Sequence, residues 1–169
     1  MYKRQVYPDD GYIKYDSNIG FTSYTDNEPK SGINYYRVCA ITENILIAIG
    51  RIERRFSGIG AADDFLIDDA GVDRLDGITM MLIAIGEQLK QLDAIAGLDL
   101  AALYPQVDWK GAKGIRDFLS HHYFALDAEV IFDVCQNKVS GLKQAIVSLY
   151  EATQAHTSDV VGKDEASNG

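Results

Sequence analysis

The chain is poor in residues that break or cross-link a fold: three prolines, two cysteines and one tryptophan in 169 residues. So few prolines suit a helical protein, because proline removes a backbone donor and interrupts helices. Cys39 and Cys135 both lie inside apolar periodic segments. They read as small buried hydrophobes in a reducing compartment, not as a disulfide or a metal site. No apolar run approaches the roughly 18–20 residues of a membrane span, and the polar, Tyr-rich start is unlike a secretory signal. A cytoplasmic protein with no membrane partner is expected. Positive charge is scarce as well: 16 Lys and Arg against 25 Asp and Glu leave a net charge of −9. That balance argues against a broad nucleic-acid-binding surface.

Apolar residues are plentiful, at 47%, and the length fits one domain with tails. Residues 1–32 mix Gly, Pro, Asp, Asn, Ser and Tyr without a sustained period, and a poorly structured extension is expected there. Its opening, MYKRQ, resembles a translated sequencing-adapter remnant, so part of the extension is read as non-native. A helical domain is expected over 33–152. Val38, Ile41, Ile45, Ala48, Ile52 and Phe56 recur at steps of three and four, which predicts a helix over about 34–56, widened by Ile47 and Ile49. Leu75, Ile78, Leu82, Ile85, Leu89 and Leu92 predict a second, beginning near Asp69 or Asp73 and closed by Ala96-Gly97.

An irregular connection or short helix over Leu98–Asp108 leads to a third helix, capped by Asp108 and running through Trp109, Ile115, Phe118 and Leu119 to about His121. Gly111 and Gly114 lower its propensity and point to a close backbone approach. A fourth helix, capped by Asp127, carries a stripe from Val130 to Tyr150, and residues 153–169 read as a flexible polar tail. The sum is an all-α antiparallel bundle of four to five helices. Its surplus apolar residues (Ile47, Ile49, Met80 and Met81) hint at a homodimer.

Usable chemistry concentrates in the run IRDFLSHHYF, which holds Arg116, Asp117, His121, His122 and Tyr123. Arg is a permanent cation whose planar fork suits phosphate. His takes or gives a proton near neutrality, and Tyr adds a hydroxyl. Between Asp108 and Tyr123, Lys110, Lys113 and Arg116 face only Asp108 and Asp117, so any nucleic-acid contact should be small and focused. At about 100° per residue, Arg116 and Tyr123 would share a face of a continuing helix, whereas His121 would lie roughly 140° from Arg116. The helix must then end at His121, or a second subunit must supply part of the site. Each residue also has a plainer use. Arg116 could pair with a neighbouring acid, His121 could face the helix-end carbonyls, His122 could be an exposed spacer, and Tyr123 could be a core aromatic with its hydroxyl at the surface.

From about Ile33 to Glu151 the chain resembles the HepT-like toxins of the HEPN superfamily, an all-helical group of ribonucleases. The resemblance rests on LIAIGEQLK (Leu82 to Lys90), on Pro105 shortly before Trp109, and on the motif Arg116, Asp117, His121 and Tyr123 with His122 as its variable position. It also rests on the closing helix DAEVIFDVCQNKVSGLKQAI (Asp127 to Ile146). Asp117 stands where Asn is commoner, and the acidic net charge and the N-terminal extension are less typical. The resemblance implies an endoribonuclease that needs no metal or other cofactor and acts on RNA rather than DNA. It implies a homodimer with facing motifs, and catalytic roles for Arg116 and His121 with Asp117 in support. It further implies a toxin whose partner, a minimal nucleotidyltransferase antitoxin, adds AMP to Tyr123. The alternative is a non-catalytic helical module that binds nucleotide or docks a nucleotidyltransferase.

Overall fold

The computed structural model describes residues 12–16, 20–24, 33–95, 97–121 and 127–166. Six α-helices follow a two-stranded hairpin: α1 (Tyr35–Phe56), α2 (Asp69–Asp93), α3 (Leu100–Leu103), α4 (Trp109–His121), α5 (Ala128–Asn137) and α6 (Val139–Ala166). A 3-10 turn over Ala62–Leu66 links α1 to α2.

Aspartate and asparagine start these helices by accepting otherwise unpaired backbone N–H groups. Asn34 accepts from Arg37 at 3.0 Å, Asp68 from Gly71 at 2.7 Å, and Asp127 from Glu129 at 3.0 Å. Asp108 accepts from Gly111 at 2.9 Å, as the sequence led us to expect. Gly58 and Gly97, both with positive φ, stand just past the ends of α1 and α2, where the left-handed conformation favours glycine.

Three antiparallel pairings hold the bundle together. In the α1–α2 pair, Gly77 faces Arg55, and beyond the other ends of the two helices Gly97 faces Ile33. In the α1–α6 pair, Lys143 reaches Glu53 at 2.8 Å and Gln154 reaches Cys39 at 3.4 Å. In the α2–α4 pair, Lys113 meets Asp93 and Lys90 meets Asp117. The predicted stripes of α1 and α2 are the core, with Ile45, Ile78, Leu89 and Leu92 fully buried; Ile49, expected among the surplus apolar residues, is fully buried there too because the second apolar side of α1 is also covered.

The structure departs from the sequence reading in several places. The extension holds two strands, Tyr12–Asp16 and Gly20–Tyr24, paired antiparallel with Tyr12 opposite Tyr24. Their aromatic and β-branched residues favour extended backbone. The Asp-rich connection sends Phe65 into the core, 6.3 Å from the Phe56 ring. The expected fourth helix is two helices, parted at Lys138, which raises the count to six. Cys135, Val139 and Leu142 keep the helical step across the break, so the apolar pattern hides it. Finally, α6 continues past Ala152 to Ala166, through residues that include good helix formers where a flexible tail was expected.

Cys135 is buried on α5, and desolvation pushes its thiol up to about 12. Cys39 is half-buried and its thiol is also raised, by burial first and then by Glu43. Both thiols therefore stay protonated at neutral pH. A disulfide-exchange reagent at pH 7 should modify Cys135 only at the rate of opening, and adding denaturant should release it at once. Prompt labelling of Cys135 in the native protein contradicts the packing of α5.

Candidate active site

Helix α4 carries the motif, and three contacts fix it on the bundle. At its start, Trp109 is buried and its indole N–H donates to the Tyr104 carbonyl at 3.0 Å. Near its end, Leu119 is 1% exposed. Between them α4 lies directly against α2 at Gly86, where an added Cβ would stand 2.6 Å from the Arg116 Cβ and 3.4 Å from the Ala112 carbonyl oxygen. The close approach expected on α4 thus falls on α2 instead. Gly114 has nothing within 4 Å of such a Cβ, and at Gly111 that space belongs to the Asp108 cap. Phe118, expected on the apolar stripe, is 44% exposed, and Ile115 is half-buried.

The Gly86 contact brings two rows of charge together. Arg116 Nε meets Glu87 Oε2 at 3.1 Å and its Nη1 donates to Asp117 Oδ1 at 2.7 Å. Lys90 Nζ grips both oxygens of Asp117, at 3.0 and 2.9 Å. One turn away Lys113 pairs with Asp93 at 2.7 Å. Asp117 lies below the usual carboxylate range because of its bond from Arg116 and then that from Lys90. Arg116 is raised in turn, by Asp117 first and then Glu87.

The plainer use considered for Arg116, pairing with a neighbouring acid, is therefore realised. Yet its side chain is 41% exposed.

His121 is the last described residue of α4 and is exposed. No hydrogen bond joins its imidazole to Arg116 or Asp117. Tyr123 and His122 lie outside the described residues. Glu87 and Lys90 are site residues that the sequence reading did not single out. Their signal was the spacing G-E-x-x-K in α2, which sets an acid and a base one turn apart, opposite the Arg-Asp pair of α4. Among the described residues, no group of three or more His, Cys, Asp or Glu is placed to hold a metal ion, and no helix is long and apolar enough to cross a membrane.

The profile of the family described as "Ribonuclease HepT-like" matches residues 45–149, which include the whole motif. "Putative RNase MJ0127" of Methanocaldococcus jannaschii is 35% identical over 105 residues, 62% of this chain and 75% of that one. "Putative RNase MJ1216" of the same organism is 27% identical over 90 residues, 53% of this chain and 65% of that one. The chain thus spans just under two thirds of the second relative. No solved structure gives a significant match. The chain belongs to the HepT-like ribonuclease family, and so to a class of RNA-cleaving enzymes.

Two glycines on the facing helices should respond with opposite signs. Gly86→Ala overpacks the α2–α4 contact by about 1–3 kcal/mol, against a propensity gain of about 1 kcal/mol, so stability should fall. Gly114→Ala meets no neighbour and should gain up to about 1 kcal/mol. Urea unfolding of both variants reads the difference, and equal midpoints contradict the close approach.

The depressed Asp117 carboxyl contributes stability that is present above its ordinary value of 3.8 and is lost as pH falls through its lower folded value. Asp117→Asn should therefore lie below the parent in stability at pH 7, and the gap should narrow near pH 3. A gap that widens on acidification contradicts the ion-pair assignment.

Proposed function

We propose that this chain is a metal-independent endoribonuclease that serves as the toxin of a toxin–antitoxin pair. The observation that carries it is the placement of the motif within the family match. Arg116 is held where α4 lies directly against Gly86 of α2, with its side chain partly exposed, and His121 follows on the same helix. In this mechanism His121 takes the proton of a ribose 2′-hydroxyl. The freed oxygen attacks the adjacent phosphorus, the bond to the 5′-oxygen breaks, and that oxygen picks up a proton from solvent or a protonated imidazole. A 2′,3′-cyclic phosphate and a 5′-hydroxyl remain. Arg116 offsets the charge that builds on the non-bridging oxygens, and Asp117, tied to Lys90, keeps the guanidinium in place.

On helix geometry Arg116 and His121 lie roughly 140° apart, which supports an active form that is a homodimer with facing motifs. A surface for self-association exists. Ile47 and Met80 are each 49% exposed, and Ile47, Ala48, Met81 and Ala84 border a depression of about 300 Å³ between α1 and α2. Gln88 at that site keeps a buried side-chain oxygen that lacks a hydrogen-bond partner among the described residues. Tyr123 is the proposed acceptor of AMP from a nucleotidyltransferase antitoxin. The added phosphate would bring negative charge and bulk to the place that substrate phosphate needs.

A second reading, a non-catalytic nucleotide-binding or docking module, is favoured by one observation: the Arg116 network is close to neutral, with Glu87 and Asp117 balancing Arg116 and Lys90. Cleavage of a short RNA with a chelator present separates the two. The parent should cut. His121→Ala should lose about 10²–10⁴-fold and Arg116→Ala about 10²–10³-fold, with the dimer intact. If His121→Ala cuts as fast as the parent, the catalytic assignment is wrong.

A further inference from the structure

Beside Arg116, toward the start of α4, the α2–α4 seam opens into a surface depression of about 350 Å³ lined by Lys90, Asp93, Lys110, Lys113, Gly114 and Asp117. It concentrates positive charge on a chain whose net charge is −9. Lys110, Lys113 and Asp117 follow one another at steps of three and four, so they share one face of α4. Gly114 presents no side chain there, which leaves the floor open to an approaching backbone.

The three lysines differ in how far their charge is already matched. Lys90 is held by Asp117 and Lys113 by Asp93. Lys110 is exposed, and among the described residues it pairs with no carboxylate. Lys110 and Arg116 are six residues apart, about 9 Å along the helix axis, which sets Lys110 at a neighbouring phosphate and not at the one Arg116 holds. Phosphate contacts of this kind place a nucleic acid in register without reading its sequence.

We propose that this lysine depression is a subsite for the RNA phosphate that flanks the scissile linkage. Lys110 is its main contact, and Lys113 is a reserve contact held back by Asp93. The subsite rests on the ribonuclease reading above and extends it: substrates long enough to reach Lys110 bind more tightly than a dinucleotide.

The test uses the full-length protein and two 2′-O-methyl RNA probes, which lack the attacking hydroxyl: a dinucleotide and an octanucleotide. Affinity is measured over a series of salt concentrations. For the octanucleotide, Lys110→Gln should weaken binding at least about threefold at low salt and make the dependence of log K on log salt shallower by about 0.7. Asp93→Asn should release Lys113 and tighten binding of the same probe. Dinucleotide affinity should stay within about twofold in both variants. Failure of the octanucleotide to bind the parent, an unchanged salt slope in Lys110→Gln, or an equal loss on both probes would each overturn the subsite. The parent is also tested for cutting the unmodified octanucleotide. Lys110-dependent binding without cutting keeps the subsite and removes the nuclease reading, whereas cutting with no effect of Lys110 does the reverse.

Discussion

The contact between Gly86 and Arg116 governs the rest of this site. With no side chain at Gly86, α4 settles close enough to α2 for short ion pairs to form across the seam. With a larger residue there the helices would part, and Glu87 and Lys90 would lose their reach to Arg116 and Asp117. A buried glycine in mid-helix costs propensity. Here that cost is offset by a geometry that no other residue allows. Trp109 and Leu119 then pin the two ends of α4, so the guanidinium is carried on a rigid element and not on a loop.

Charge around Arg116 is arranged for a focused contact. Lys90 and Arg116 share Asp117, and Glu87 takes the other edge of the guanidinium. All four groups are roughly half-exposed, so each pair is worth little to stability and is screened by salt. In the proposed reaction a substrate phosphate would compete with these carboxylates for Arg116.

Much of the architecture is legible in the sequence, because the stripes of α1 and α2 repeat at the helical period and aspartates mark where helices begin. The limits of α1 and the start of α4 follow from Asn34 and Asp108 and from the end of the apolar steps of α1. Three features are not legible, for physical reasons. The break at Lys138 leaves the apolar step intact, so periodicity passes over it. Phe65 lies among aspartates, and its ring packs near Phe56, which in turn packs on Phe132 of α5, an aromatic from a distant part of the chain. The close approach is a property of two helices at once, so the glycines of α4 drew attention that Gly86 deserved. At the site, Arg116, Asp117 and His121 stand out by residue type. Glu87 and Lys90 matter only through the partner helix, which a single segment does not reveal.

In the proposed reaction one guanidinium and one imidazole act on a single ribose-phosphate linkage without help from a metal. The ends left on the cut RNA test it most directly. With a chelator present, mass spectrometry of the fragments should show a 2′,3′-cyclic phosphate on one and a 5′-hydroxyl on the other. Fragments ending in a 3′-hydroxyl and a 5′-phosphate, formed only when a divalent cation is restored, would contradict it.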